Sequence, residues 1–462
     1  MNPPCLSPED QQALAAGSPL VGDDWEQRLR QIPVDLEMTA KDTHALQRKR
    51  EVKSAADLLR LVLAYSVCDW SLRLVGLWAT VIGLGHLSDT AVLKRLRHSQ
   101  AWLSRLLSEW LSLRRGVLRG QTGRLRLIDA TTVSQPGSVG TDWRLHVSFD
   151  LGRFGIDGVE ITDASGGETL ARHAAQAGEI LVQDRGYAHR IGLGTVLATG
   201  AQVVSRLNWH NLPLETPDGQ KFDLLAWLEQ AVPLTDPGQT EVWVSTPSGR
   251  FEMRLIAQRL PPDAVEAARR RVRDNARKKG HIPSAGSLLA AGFVLDLTNL
   301  MNLHHWPAEQ ILAVYRLRWQ IELLFKRWKG LWDLAHLRSQ DPALSQVYLL
   351  GKLLGVLLVE GWPGAAALDH AGWWENVTRP VSAWRWTGLG AELLRQAIRG
   401  PLTFARCLAV LPQLARYLCD TPRQRPQQLA HARHWLRQLG IMIEDLAQDS
   451  IHALPLLHDS MP

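Results

Sequence analysis

Five short β-type runs between Arg124 and Leu207 constrain the fold of this chain more than any other feature. They read RLRLIDATTV, WRLHVSFDL, IDGVEITDA, EILVQD and AQVVSRL, and turn residues and two helical stretches separate them. The first three runs are close enough to be joined as hairpins, whereas the last two alternate with helical stretches and suit parallel additions to the same sheet. The order of strands and helices therefore predicts an α/β domain built on a mixed sheet.

Two aspartates stand where apolar residues of these runs end. Asp129 directly follows Leu127 and Ile128 in the first run, and Asp184 ends the fourth run before the turn residues RGY. A carboxylate on an otherwise apolar strand is costly to bury unless it is paired or holds a metal ion. Capping of a following helix is an equally good explanation for Asp184. Because the strand order is the one that a ribonuclease H-like core requires, we expect both aspartates at one end of its sheet.

A third carboxylate lies on a helix that the apolar spacing predicts from about Pro307 to Leu331. Four polar side chains fall on one narrow stripe beside its apolar face: Tyr315, Arg318, Glu322 and Lys329. An ion-pair ladder is one explanation, because Arg318 and Glu322 are four residues apart. The other explanation is that Glu322 holds a cation while the remaining members of the stripe hold a phosphate.

The three carboxylates, Asp129, Asp184 and Glu322, would then meet at one end of the sheet. Hard divalent ions prefer such oxygen ligands, so we expect Mg²⁺ or Mn²⁺ as the cofactor. Two such ions can activate an attacking water or 3′-hydroxyl and stabilise the departing oxygen of a phosphodiester. This arrangement predicts metal-dependent phosphodiester hydrolysis and transesterification.

The segment YRLRWQIELLFKRWK resembles a known signature. Its Tyr, Arg, Glu and Lys, separated by two, three and six residues, match the YREK signature of the bacterial insertion-sequence DDE transposases of the family numbered four. The surroundings of the carboxylates are similar to that family as well, in LIDATTV, LHVSFDL, VQDRGY and LTNLMNLHHWPAEQILAVYRLRWQIE. The resemblance spans about Ser88 to Lys329.

This resemblance implies a fold, a site and a substrate. The fold is α/β, a ribonuclease H-like mixed-sheet catalytic core with a β-rich insertion, flanked by helical N- and C-terminal regions. The catalytic and metal-binding residues are Asp129, Asp184 and Glu322. The substrate is double-stranded DNA, both the terminal repeats of the transposon and the target. In relatives the reaction can pass through a hairpin with one base flipped onto an aromatic side chain.

Several residues are implied as contacts to that DNA. Tyr315, Arg318 and Lys329 would bind the phosphate near the transposon end. Trp319, or alternatively Trp306, is a candidate for holding a flipped base. Core packing explains any one of the nineteen tryptophans better.

Further polar residues lie beside the acidic ones or in neighbouring strands. Arg185 and Arg206 are candidates for phosphate contacts. His146 in RLHVSFDL is better explained by local packing or a supporting hydrogen bond than by metal binding, because hard ions favour oxygen.

The distribution of residue types along the chain predicts five parts. Apolar residues recur at helical spacing before the strands and again after the Glu-bearing helix, whereas Pro, Gly and a strand pair mark the middle segment. The parts are a helical N-terminal DNA-binding region at 1–118, the first part of the catalytic core at 119–207, a β-containing insertion at 208–292, the second part of the core at 293–335, and a helical C-terminal region at 336–462.

Two basic segments lie outside the predicted core strands. A helix capped by Ser88 or Asp89 carries Lys94, Arg95 and Arg97 after the turn IGLGHLS. It is either a helix-turn-helix reader of DNA or one of two packed helices with a solvated basic face. The run RRRVRDNARKKG in the predicted insertion either grips a phosphate backbone or is a solvated helix or loop.

The charge balance suits a polyanion partner, and the cysteine usage suits a reducing cytoplasm. The chain has 52 Lys and Arg against 46 Asp and Glu, and its pI is about 9.3. No CxxC pair or secretory signal is readable, and charged residues interrupt the most apolar runs, which we expect to be buried helices. We expect a cytoplasmic, nucleoid-associated protein without a membrane partner. Its four widely separated cysteines are Cys5, Cys68, Cys407 and Cys419.

These features favour a cut-and-paste DNA transposase that binds terminal inverted repeats and works as a homodimer in the DNA complex. A metal-dependent nuclease of the same fold would carry the same acidic triad. A catalytically inactive DNA-binding protein derived from a transposon would be expected to have lost part of that triad, yet all three carboxylates are present. The sequence leaves both alternatives open.

Overall fold

The protein is described by a computed structural model over residues 24–116, 123–360, 382–400, 434–436 and 438. The strands are β1 Arg124–Val133, β2 Trp143–Asp150, β3 Gly155–Asp163, β4 Glu179–Gln183, β5 Gln202–Arg206, β6 Gly238–Thr246, β7 Gly249–Arg259 and β8 Phe293–Thr298. The helices are α1 Asp24–Leu29, α2 Leu36–Asp42, α3 Ala55–Ser66, α4 Leu72–Val81, α5 Asp89–His98, α6 Gln100–Arg115, α7 Arg190–Leu197, α8 Leu224–Gln230, α9 Pro262–Lys278, α10 Ala285–Ala290, α11 Ala308–Arg316, α12 Trp319–Leu331, α13 Pro342–Glu360 and α14 Ala383–Arg399.

All eight strands form one mixed sheet in the order β3-β2-β1-β4-β5-β8-β7-β6. β1, β2 and β3 pair antiparallel, and β4 and β5 join β1 as parallel neighbours. The predicted ribonuclease H-like strand order is confirmed. β8 pairs antiparallel to β5, and β7 pairs antiparallel to β8. β7 therefore runs in the same direction as β1, β4 and β5.

Helices cover both faces of the sheet because its central strands are apolar on both sides. In β1, Leu125 and Leu127 pack into the larger of two buried clusters, whereas Ile128 faces the smaller one. The larger cluster includes residues of α3, α6, α12 and α13, and the smaller one includes residues of α7 and α8. Such two-sided burial is expected for strands that have parallel neighbours.

The helices before β1 form the predicted all-helical unit. Ser88 caps α5, as expected, through a hydrogen bond from the backbone of Ala91. α4 and α5 are joined by a short turn and lie in close contact: a Cβ added at Gly76 would stand 2.3 Å from the carbonyl oxygen of Leu87. Glycine at this position therefore permits the approach of the two segments.

In the part of the chain that the structure describes, one helix, Pro342–Glu360, is long and apolar enough to cross a membrane, and 83% of its most apolar window is buried inside the protein. Its buried Lys352 lies 3.1 Å from Asp69, in the loop after α3. This burial and ion pair are those of a core helix of a folded domain, which confirms the interpretation of this apolar run as a buried helix. The other apolar run, near Leu58, is α3 and is buried too.

Two structural details differ from the predictions made from the sequence. The helical stretch expected between β3 and β4 is a single 3₁₀ turn, Leu170–Arg172, which follows the pair Gly166 and Gly167. The strand pair predicted in the insertion exists as β6 and β7, but it extends the main sheet through β8. The basic run that begins at Arg269 lies largely on helix α9. Cys5, Cys407 and Cys419 lie outside the described residues.

Candidate active site

Three parallel strands bring a predicted site residue to one edge of the sheet, where β4 and β5 end and β1 continues to Val133. Asp129 lies in β1, Asp184 follows β4 directly, and Arg206 is the last residue of β5. Ile128 pairs with Gln183, so the two aspartates that come next along the chain stand level on adjacent strands. The carboxyl end of parallel strands is where α/β enzymes place their reacting groups.

The helix predicted from Pro307 to Leu331 is broken into α11 and α12, and this prediction is corrected. Hydrogen bonds of the i to i−3 type run from Leu317 to Val314, Arg318 to Tyr315, Gln320 to Leu317 and Ile321 to Arg318. A tighter 3₁₀ segment thus joins the two helices. Tyr315 and Glu322 therefore lie on two different helices, and the four-residue stripe does not follow one straight face.

Arg318 stands at this junction and links two of the predicted carboxylates. Its Nη1 donates to Oδ2 of Asp129 at 2.9 Å, and its Nη2 donates to Oε1 of Glu322 at 2.5 Å. The ion pair between Arg318 and Glu322 that the spacing allowed is present. The guanidinium is 15% exposed, whereas the Glu322 side chain is 54% exposed. The arrangement places a half-buried cation between a strand carboxylate and a helix carboxylate.

Burial raises the pKa of the Asp129 carboxyl to about 6. The positive charge of Arg318 and the hydrogen bond from the backbone of Ala130 lower it, while the negative charges of Asp184 and Glu168 raise it further. Desolvation exceeds the stabilisation that the partners give to the charged form. A group that binds at this edge and carries positive charge would stabilise the ionised form of Asp129.

The second aspartate serves both as a cap and as part of the site. Oδ1 of Asp184 accepts a hydrogen bond from the backbone of Arg185 at 2.6 Å, at the start of a 3₁₀ turn. The same oxygen accepts one from the hydroxyl of Tyr315 at 3.3 Å. Asp184 therefore has the capping role that the sequence left open, and it also contacts Tyr315 of α11.

Arg206 is held behind Tyr315 rather than free in solvent. Its guanidinium lies 4.0 Å from the centre of the Tyr315 ring, and its Nε is 3.4 Å from Oδ1 of Asp296 in β8. Neither oxygen of Asp296 accepts a hydrogen bond from any described residue, so the link to Arg206 is an ion pair without good hydrogen-bond geometry. Burial raises the pKa of Asp296 to about 7 against the opposing charges of Arg206 and Arg316.

The remaining candidates differ in exposure. Lys329 and Arg185 are exposed, and Trp319 is half-buried. Trp306 is buried and contacts the ring of Trp435 edge-on, so core packing explains it. His146 is buried, and its Nε2 lies 3.0 Å from the Thr162 hydroxyl, which agrees with the expected supporting role.

Two acidic residues near the site escaped the sequence reasoning. Asp296 sits in the apolar run GFVLDLTNL, where a lone charged residue was the available signal. Glu168 lies in a loop, and its carboxylate occupies the space beside Gly186, where an added Cβ would stand 2.0 Å from Oε2. Its charge acts on Asp129, yet nothing in its local pattern marks it.

Asp296 is expected to make the stability of the protein depend on pH. Its carboxyl gives up a proton near pH 3.8 when unfolded but only near pH 7 when folded, so its contribution to stability falls as pH rises between these values. Asp296→Asn should match the wild type near pH 4 and be more stable above pH 7 by roughly 2–4 kcal/mol. Thermal unfolding of both proteins across this range measures the difference. Parallel curves would contradict it, and Asp236→Asn, at an exposed site, controls for loss of any one carboxylate.

A family model described as a transposase DDE domain matches residues 120–358, more than half of the chain. This range contains β1 to β8 and all three predicted carboxylates. The chain belongs to the DDE transposase family. The resemblance noted in the sequence is thereby confirmed at the level of an insertion-sequence DDE transposase.

Curated relatives give the same assignment. The transposase for insertion sequence element IS421 of Escherichia coli is 38% identical over 348 residues, 73% of this chain and 93% of the relative. InsL of insertion sequence element IS186A, from Escherichia coli strain K12, is 38% identical over 347 residues, with the same coverage. The transposase for IS231B of Bacillus thuringiensis subsp. berliner is 24% identical over 370 residues, 71% of this chain and 76% of the relative.

This DDE transposase is therefore an enzyme of DNA cleavage and strand transfer that depends on divalent metal ions. The donor chemistry of the site fits such ions, because the predicted ligands are carboxylate oxygens. Among the described residues, no three His, Cys, Asp or Glu side chains are already grouped as a metal cage. The contacts show why: Arg318 lies between Asp129 and Glu322.

Proposed function

We propose that this transposase binds the terminal inverted repeats of an insertion sequence and cuts and joins their ends with Asp129, Asp184 and Glu322. The observation that carries the proposal is the meeting of Asp129 and Asp184 at one sheet edge, with Glu322 tied to Asp129 through Arg318. The three carboxylates would hold Mg²⁺ or Mn²⁺, as two ions. Bound there, the ions would supply the charge that activates the attacking oxygen and stabilises the leaving oxygen.

Arg318 can bind either the two carboxylates or a DNA phosphate. In the described arrangement its two terminal nitrogens donate to Asp129 and Glu322. A guanidinium group can donate two parallel hydrogen bonds to a phosphate as well as to a carboxylate. A DNA phosphate can therefore replace these partners. We infer that Arg318 turns from the carboxylates to the scissile region of the DNA when metal ions take the carboxylate oxygens.

The other proposed DNA contacts follow from their positions. The hydroxyl of Tyr315 reaches Asp184 and so stands beside the reacting phosphate. Lys329 and Arg185 are exposed cations on α12 and after β4. Arg206 supports Tyr315 through its ring stacking and reaches phosphate only at the edge of the site.

Trp319 is the candidate surface for a flipped base, because it begins α12 and is half-buried. An aromatic ring placed beside the carboxylates can stack on a base whose phosphate is being cut. Trp306 is buried among core residues and is not proposed for this role.

The five-part organisation predicted from the sequence is kept as a proposal. In it, residues 1–118 bind DNA, 119–207 and 293–335 form the core, 208–292 form the insertion, and 336–462 form a helical region. Two copies would pair two transposon ends as a homodimer, in the bacterial cytoplasm at the nucleoid. The helical pair α4 and α5, joined by a short turn, supports the DNA-binding role of the first part.

Metal removal tests the proposed function. On labelled duplexes that carry the element's own ends, cleavage and strand transfer are expected with Mg²⁺ or Mn²⁺ and no turnover with EDTA, because the carboxylates alone cannot stabilise the leaving oxygen. Gel analysis of the products measures nicking and joining separately. Calcium serves as the matched control, since it binds oxygen ligands with looser geometry and should support end binding.

Three outcomes are distinguishable in this assay. Cleavage at the ends followed by joining to target DNA supports the transposase. Cleavage without joining would favour a nuclease. Binding of the ends without cleavage under any metal would point to an inactive DNA-binding derivative and contradict the proposal.

A further inference from the structure

Helix α9, which lies in the predicted insertion, carries more basic than acidic residues. It contains six basic residues and three acidic ones in the segment PDAVEAARRRVRDNARK, and Lys279 follows at its C-terminal cap. Two of the basic residues are neutralised: Arg269 lies 3.4 Å from Glu266, and Arg277 lies 3.5 Å from Asp274. The positive charge that remains is concentrated in the second half of the helix.

Four cations form what we call the basic face: Arg270, Arg271, Arg273 and Lys278. All four are exposed, and none forms an ion pair with any residue in the described ranges. Arg270 and Arg273 are three residues apart, and Arg273 and Arg277 are four apart, so like charges are neighbours on the helix surface. Such spacing destabilises an isolated helix and is relieved by a polyanion.

The basic face points away from the body of the protein. Val265, Val272 and Ala276 lie on the opposite side of the helix at its 3.6-residue period, and Ala276 is buried. An added Cβ at Gly292 would stand 3.8 Å from the side chain of Val265, which shows how closely that side packs. The helix is thus anchored by its apolar side and presents its cations outward.

Sheet topology brings this helix to the edge that carries the catalytic carboxylates. β7 runs parallel to β1, β4 and β5, so its carboxyl end at Arg259 lies at the same edge, and α9 begins three residues later at Pro262. β7 is three strands from β4 in the order β4-β5-β8-β7. At about 4.8 Å per strand, β7 lies roughly 14 Å across the sheet from β4, which Asp184 follows.

We propose that the basic face of α9 binds the phosphate backbone of the DNA duplex that continues from the cleaved phosphodiester. A helix of seventeen residues is about 25 Å long, and one strand of a duplex carries a phosphate about every 3.4 Å of its axis, so four cations along it can meet successive phosphates. The contact reads no sequence, because it lies on the backbone. This proposal rests on the proposed function in one respect, the identity of the DNA duplex that α9 binds.

The test uses the full chain with Arg270, Arg271, Arg273 and Lys278 all changed to Gln. Binding to a random duplex and to an end-bearing duplex is measured over a range of salt concentrations. Because each lost phosphate contact reduces the salt slope by roughly 0.9, the loss of four should reduce the slope by roughly 3.6 and the affinity by roughly 10- to 100-fold near physiological salt, equally for both sequences. Cleavage at saturating protein should persist.

Two further variants make the result decisive. Changing the three arginines to Lys should keep most of the affinity, since phosphate accepts a point charge. Changing three exposed cations outside the proposed DNA-binding parts to Gln, at Lys221, Arg338 and Arg399, removes three positive charges against four in the α9 variant and should affect the slope less. Equal losses in the control variant, or wild-type binding in the α9 variant, would overturn the proposal. Failure of the wild type to cleave its ends would instead count against the proposed function, because random-duplex binding does not depend on cleavage.

Discussion

Replacing Asp129 with Asn is expected to reduce DNA cleavage by on the order of 10³-fold or more while leaving end binding within a few fold. Loss of a group that only supports a metal ligand typically costs 10- to 100-fold, so loss of a ligand itself should cost more. The amide keeps an oxygen that can accept from Arg318 but has no charge to hold a divalent ion. Single-turnover cleavage of labelled ends, with binding measured in parallel, separates the two effects.

The substitution should not disturb the fold. Burial already raises the pKa of Asp129 to about 6, so the surroundings tolerate a neutral side chain of the same shape. One oxygen of Asp129 accepts from Arg318 and the other from the backbone of Ala130, so Asn keeps one of the two acceptors and should cost about 1 kcal/mol of stability. A variant that is fully folded at the assay temperature would show that lost cleavage reports chemistry.

Glu322→Gln gives an independent version of the same test, and Glu309→Gln on α11 is its matched control. Both glutamates are exposed, but Glu309 lies in the first turn of α11 and has no contact with Arg318 among the described residues. The first variant should lose cleavage as Asp129→Asn does, and the second should keep it. Near wild-type rates in Asp129→Asn or Glu322→Gln would rule these residues out as metal ligands.

The fold of the central sheet could be predicted because its strands follow local rules. Apolar runs with turn residues between them set the limits of β1 to β5, and the spacing of the runs separated hairpins from parallel additions. Asp129 and Asp184 stood out because each interrupts or ends such a run. Their levels on adjacent strands followed once the strands were known to be parallel.

The junction at Leu317 and Arg318 could not be predicted from local pattern. Neither Gly nor Pro marks it, and both residues keep backbone angles in the right-handed helical region. The change is one of hydrogen-bond spacing, which packing of Tyr315 and Gln320 against the sheet can impose without a sequence signal. At this junction Arg318 donates a hydrogen bond to Asp129.

The other features that the sequence did not predict depend on contacts between distant segments. β6 and β7 were recognisable as a hairpin, but their alignment with β8 depends on contacts between segments about forty residues apart. The proximity of Glu168 to Asp129 depends on a loop that no period describes. Asp296 became interpretable only after β8 was found beside β5, where it meets Arg206.

Arg126 shows how the scaffold holds the site in place. From β1 it reaches three other strands: Nε lies 2.9 Å from Asp157 in β3 and 3.0 Å from the Ser148 hydroxyl in β2, and Nη1 lies 3.0 Å from Glu179 in β4. The side chains of Arg126 and Asp157 are each 2% exposed, and that of Glu179 is fully buried. One guanidinium, three residues before Asp129, thus ties β1, which holds Asp129, to β4, which Asp184 follows.

Arg126→Met is expected to destabilise the protein by about 3–5 kcal/mol, because it removes the cationic partner of the buried Asp157 and one of three arginines at the buried Glu179 while nearly keeping the volume. For a unit of this size, the thermal midpoint should fall by roughly 10 °C. Arg172→Ala, which removes a more exposed pair with Glu160 at 2.6 Å, should cost less than about 1 kcal/mol. Cleavage by Arg126→Met should fail at the temperature where the variant unfolds and survive below it. A midpoint within a degree or two of the wild type would show that Arg124 and Arg115, which also contact Glu179, neutralise the network without Arg126.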